Sequence, residues 1–187
     1  MTEQALTLFA DAEAVASGGR AEIAAAIAEL LERDDPRTLL VFDDVTGEQV
    51  DIDRREASSA GAPAEAPERK GPGRPRLGVV SREVTLLPRH WEWLNAQPSG
   101  ASAALRRLVD QARRQNERGD RVRRSREAAF RFMTAMAGNL VGFEEACRSL
   151  FAGDERGFES HLAAWPEDVA RFSAKLAADA FDAEDAG

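Results

Sequence analysis

Tyrosine is absent from the 187 residues, cysteine occurs once and histidine twice. A lone Cys147 excludes an internal disulfide and any multi-thiolate metal site within one chain. His90 and His161 lie far apart in sequence, and neither belongs to an H-x-x-x-H metal pair or to a Ser or Cys nucleophile motif. No phosphate-binding glycine motif is present, and the acids Glu144, Glu145, Glu167 and Asp168 read as solvated helix surface. No apolar run approaches the length of a membrane span, and Met1-Thr2-Glu3-Gln4 carries neither a basic n-region nor an apolar stretch behind it. These absences give the expectation of a cytoplasmic protein that is not an enzyme, holds no cofactor or metal and does not engage a membrane.

What is present is strong charge segregation. The chain has a net charge of −8. Residues 68–132 nevertheless hold 16 Arg or Lys against 7 Asp or Glu, leaving 9 basic and 26 acidic residues elsewhere. A basic middle between acidic ends is the asymmetry expected when one module meets a polyanion. The alternative is that the two signs pair within or between subunits. A hydrophobic fraction of 43%, with nine Phe and three Trp, suits one or two small domains with modest cores.

The fold class expected is α+β: a small N-terminal ββαββ unit, a linker, a strand-helix-helix module and a C-terminal helical bundle. In residues 1–53, Leu6-Thr7-Leu8-Phe9-Ala10 and Ala14-Val15-Ala16 are candidate strands. A helix follows over residues 21–33, where Ile23, Ile27, Leu30 and Leu31 form one apolar stripe. Asp34-Asp35-Pro36 ends it, since proline cannot donate the continuing hydrogen bond. Thr38-Leu39-Leu40-Val41-Phe42 and the alternating Gln49-Val50-Asp51-Ile52-Asp53, joined through Thr46-Gly47, predict a second hairpin. This unit is expected to be a scaffold, a dimerisation surface or a ligand sensor.

Residues 54–79 lack the bulky apolar side chains that would offset ordering entropy and read as a linker. It ends in Lys70-Gly71-Pro72-Gly73-Arg74-Pro75-Arg76. That Gly-Arg-Pro element flanked by cations is similar to an AT-hook, although Pro72 stands where that motif carries arginine. The resemblance implies minor-groove contacts from Arg74 and Arg76.

Residues 80–115 carry the most specific pattern. Val84-Thr85-Leu86 is a short candidate strand, Arg89 to Ala96 a helix with Trp91 and Leu94 on its buried side, and Gly100-Ala101-Ser102 a turn. Ser102 is expected to N-cap a second helix on which Leu105, Leu108, Val109 and Ala112 fall at core spacing. This sequence resembles the ribbon-helix-helix family of bacterial DNA-binding proteins. The resemblance implies a homodimer whose paired strands enter the major groove, with the start of the second helix clamping the DNA backbone. The candidate DNA contacts are then Arg74, Arg76, Arg82, Val84, Leu86, Gly100, Ala101, Ser102, Arg106 and Arg107. Leu86-Leu87 interrupts the alternation usual in that family, so the outward set is either Arg82, Val84 and Leu86 or Glu83 and Thr85, and a one-residue slip exchanges them.

Residues 116–187 are expected to be helical throughout and to end in an acidic tail. Residues 121–126 open a cationic helix whose apolar face is Phe130, Met133, Met136 and Ala137, and Gly138-Asn139 breaks it. Leu140, Phe143, Ala146 and Leu150 mark a second helix, Phe158, Leu162 and Trp165 a third, and Val169, Phe172 and Leu176 a fourth behind Pro166. The residues from Gly73 through Trp91 to Val109 also resemble an uncharacterised bacterial family known as a domain of unknown function, which implies a shared architecture and no assigned activity. The leading expectation is a homodimeric DNA-binding protein serving as a transcriptional regulator. The alternative is an interaction adaptor, or an antitoxin-like protein whose C-terminal helices engage a protein partner.

Overall fold

The computed structural model describes residues 4–52 and 82–182. The chain divides into two compact units, Met1–Ala62 together with Arg118–Gly187, and Pro63–Glu117. The linker and its Arg74 and Arg76, read above as AT-hook-like, lie outside the described residues, as does Asp53.

In the first unit, β1 (Leu6–Ala10) and β2 (Glu13–Gly18) form a hairpin. Its turn is made by Asp11, at φ +51°. Helix α1 (Arg20–Glu32) follows, and its Glu22 carboxylate reaches back to accept from the Gly19 amide at 2.8 Å. β3 (Leu39–Asp43) then pairs antiparallel with β1, giving the order β2-β1-β3. All five residues of the central strand β1 are buried, because both faces of the sheet are covered. Leu6 and Leu8 pack with Ile23 of α1 and Val41. Phe9 and Phe42 face the other way, towards C-terminal helices.

The predicted strand at residues 49–53 is not formed among the described residues. It reduces to a single bridge from Phe42 to Gln49, with the Val50 amide donating to the Val41 carbonyl at 2.8 Å. Val50 and Ile52 instead pack against the cluster on the α1 side. Side-chain burial outweighs ladder pairing for that segment.

Helix α3 (Gly100–Ala137) is a single 38-residue helix that runs without a break from the second unit into the first. No proline interrupts residues 100–137, and Gly119 costs only about 1 kcal/mol there. α4 (Phe143–Ala152), α5 (Glu155–Leu162) and α6 (Glu167–Leu176) follow, with the breaks expected at Gly138 and before Pro166 and a further one at Asp154. The Asp154 carboxylate caps α5 by accepting from the Gly157 amide at 3.0 Å. Carbonyls at and beyond the end of α6 are satisfied from α3: the Ser125 hydroxyl donates to the Leu176 carbonyl at 2.6 Å and Arg126 Nε to that of Ala180 at 3.0 Å.

An aromatic cluster joins the sheet to these helices. Phe9 lies 5.4 Å from both Phe132 and Phe172, and Phe42 lies 4.9 Å from Phe132, between ring centroids. Segments 1–53 and 116–187, divided by composition, therefore share one core. A three-stranded sheet with α1 on one face leaves the other face to be covered, and α3 and α6 supply the cover.

The second unit contains α2 (Pro88–Asn95) and the N-terminal part of α3. Proline at the first helical position suits α2, because its missing N–H would have no intrahelical partner there.

Candidate nucleic-acid interface

Residues 82–87 precede α2 without strand pairing to any described residue. The segment predicted as a ribbon thus finds no intramolecular partner among the described residues. Its side chains are exposed except that of Leu86, which is half-buried. Leu87 has extended backbone angles, and its carbonyl accepts from the His90 amide at 2.9 Å as α2 begins.

After α2, the chain turns through Ala96, Gln97, Pro98 and Ser99. The Gln97 amide donates to the Leu94 carbonyl at 3.2 Å, and the Gly100 amide to that of Gln97 at 3.0 Å. Gly100 has φ +74°, and a Cβ added there would meet no atom within 4 Å. Glycine at this position therefore answers a backbone requirement and not a packing one.

The cap expected at Ser102 is corrected by this turn. α3 already starts at Gly100, so Ser102 occupies its first turn. Its carbonyl and hydroxyl accept from Arg106 at 3.2 and 3.4 Å. Of the predicted contacts, Gly100, Ser102, Arg106 and Arg107 are exposed near one helix start, and Ala101 is half-buried beside them. Arg82 and Val84 are exposed in the preceding segment.

The second unit buries little. Among its described residues Leu94 and Ala104 are the buried apolar ones, while Val84, Leu87, Trp91, Trp93, Leu108 and Val109 are exposed, Val84 and Val109 by more than half. On α3 the helical period places Ala101, Ala104, Leu105, Leu108 and Val109 on one side, with Arg106, Arg107, Arg113 and Arg114 opposite. Trp91, expected on the buried side of α2, is 38% exposed within the chain, and Trp93 is exposed as well. Trp165 is buried and donates its indole N–H to the Val141 carbonyl at 2.9 Å.

The cationic run further along α3 serves the first unit in part. Arg126 caps the α6 end, and Arg131 donates to the Thr46 carbonyl at 3.1 Å while lying 3.7 Å from Glu48 and Glu127. Arg123 pairs with Asp120 at 2.9 Å. A charge count along the sequence cannot separate these arginines from Arg106, Arg107, Arg113 and Arg114.

Among the described residues, no group of three His, Cys, Asp or Glu is placed to hold a metal ion, and no helix is long and apolar enough to cross a membrane. Cys147 is half-buried, and burial followed by the nearby Glu144 charge pushes its thiol pKa up, which disfavours the thiolate.

The chain belongs to a family described as an uncharacterized protein conserved in bacteria (DUF2239), whose model matches residues 5–177. No curated protein and no solved structure matches the chain.

Proposed function

We propose that this protein is a cytoplasmic transcriptional regulator that binds DNA as a homodimer through a ribbon-helix-helix-like module at residues 80–115. The observation that carries this reading is the two-sided second unit, with exposed apolar side chains on one face of α3 and four exposed arginines on the other. A helical pair with so small a core gains stability by burying that apolar face against a second copy. Residues 82–87, without a strand partner among the described residues, would then pair with their own copy across a two-fold axis.

The half-burial of Leu86 supports one of the two phases left open by the sequence. In that phase Leu86 and the exposed Val84 would both turn towards the second copy, and Glu83 and Thr85 would face the groove. A threonine hydroxyl bonds to any base edge and its methyl packs on thymine, while a glutamate accepts from the cytosine amino group. Arg106 and Arg107 sit one turn into α3, where they supply phosphate contacts.

Binding of genomic DNA fragments at about 50 and 200 mM salt tests the proposal. Affinity should fall steeply with salt, and replacing Arg106 and Arg107 together by Gln should lower the log–log salt slope by about 2. Absent or salt-insensitive binding would remove it. The exposed apolar face supports a second reading, an adaptor or antitoxin-like protein that buries this face on a different chain. Co-purification of a stoichiometric protein without DNA retardation would favour that reading.

A further inference from the structure

A cleft of about 520 Å³ opens in the first unit between the β1–β2 hairpin and α6. Its floor is Thr7 and residues 14–17, and its wall is Asp168, Arg171, Phe172 and Lys175 of α6. Cavities of this size accommodate small ligands.

Two acids hold groups of this cleft: Asp168, 18% exposed, lines it, and Asp44, 11% exposed and outside its lining, bonds to Thr7 and Lys175. Asp44 accepts from the Thr7 hydroxyl at 2.7 Å through Oδ1 and from Lys175 Nζ at 2.8 Å through Oδ2. Asp168 accepts from the Ala14 amide at 2.8 Å through Oδ2 and from Arg171 at 2.5 Å through Oδ1. Both oxygens of each carboxylate are thus engaged. The cations are not used up: a guanidinium carries five N–H donors and an ammonium three, and each ion pair commits one. Arg171 and Lys175 stand one turn apart and are more than half exposed. The two cations keep more unused donors than the two carboxylates keep unused lone pairs, so the capacity left to the charged side chains here is mainly that of donors.

We propose that this cleft binds a small anion, either a dicarboxylate or a phosphate-bearing molecule, held by Arg171 and Lys175 over the apolar floor of Ala14 and Phe172. The ligand accepts from the remaining donors of both cations, and Ser17 lines the same space. Charge-assisted hydrogen bonds of this kind are about twice as strong as neutral ones. The inference concerns the first unit alone and stands or falls independently of DNA binding.

Pyrophosphate and succinate titrated separately into the full ¹⁵N-labelled chain, against sodium chloride at matched ionic strength, test it. The expected result is saturable shifts at the amides of residues 14–17 and 168–175 with at least one of the two anions. The stronger titrant distinguishes a phosphate from a carboxylate ligand. Arg171→Gln should weaken binding about tenfold. Ser17→Leu, which fills the cleft and keeps every charge, should weaken it as much. Shifts no larger than those of chloride, or saturable binding that persists unchanged in both variants, would overturn the proposal.

Discussion

At the scale of single residues, Gly47 shows how backbone geometry and packing combine. It sits in the turn after β3 at φ +64°, and a Cβ added there would lie 2.1 Å from the Ala128 carbonyl oxygen of α3. Neither the left-handed conformation nor the backbone contact tolerates a side chain. Gly47→Ala should therefore cost about 2–4 kcal/mol, read as a lower urea midpoint. Gly100→Ala meets only the conformational penalty, about 1–2 kcal/mol, because its surroundings are open. Equal losses at the two positions would contradict the packing role of Gly47. Asp35 carries a different signal. Hydrogen bonds from the Arg37 guanidinium and amide hold its carboxyl at about 2, below the usual 3.8. Because the folded value is depressed, this stabilisation is complete above the unfolded value and is lost as pH falls from about 4 through about 2. In acid unfolding, Asp35→Asn should flatten the dependence in that window and leave the curve above pH 5 parallel to wild type.

At the scale of elements, local pattern and long-range packing divide the fold between them. The apolar spacing of Ile23, Ile27 and Leu30, and of Val169, Phe172 and Leu176, is a property of each helix alone, and both helices lie where that spacing puts them. The break at Gly138 and the starts at Asp154 and Pro166 are likewise local chemistry. The segment at residues 49–53 alternates like a strand, yet whether it pairs depends on where Val50 and Ile52 find apolar partners. Ser102 has the chemistry of an N-cap, but the turn at Gly100 starts the helix earlier. The arginine face of α3 was legible from spacing, whereas the commitment of Arg126 and Arg131 was not, since their acceptors Ala180 and Thr46 are remote in sequence. For the same reason Asp168, read as solvated helix surface, is 18% exposed and accepts from the remote Ala14 amide, and Asp44 pairs with the remote Lys175. The exposed apolar face of α3 carries its own prediction. Val109→Glu places a charge where a second copy would seat, and its effect on a monomer is small because Val109 is 54% exposed. Sedimentation equilibrium should show a concentration-dependent dimer in the wild type and a monomer in the variant, with the far-UV spectrum unchanged. A wild-type monomer at every concentration would sink the dimer.

At the scale of the molecule, the aromatic cluster decides what can fold by itself within the first unit. Composition and turn signals make residues 1–53 look self-contained, and β1, β2, α1 and β3 do bury Leu6, Leu8, Ile23 and Val41 among themselves. Their opposite face tells against independence. Phe9 and Phe42 are fully buried, and the partners that bury them include Phe132 of α3 and Phe172 of α6. Stripped of those helices, the sheet would present two phenylalanines to water at about 1.5–3 kcal/mol each. It would also lose the Asp168 carboxylate from the Ala14 amide and the Lys175 ammonium from Asp44. A domain of this size keeps only a small margin of stability, and losses of this sum exceed what α1 alone can supply. A fragment ending at Asp53 should therefore show no cooperative thermal transition and poor amide dispersion by NMR. Adding residues 118–182 as a separate chain should restore both if the core is the shared one described. A cooperative transition in the short fragment alone would instead assign its stability to the α1 face and remove Phe132 and Phe172 from the account.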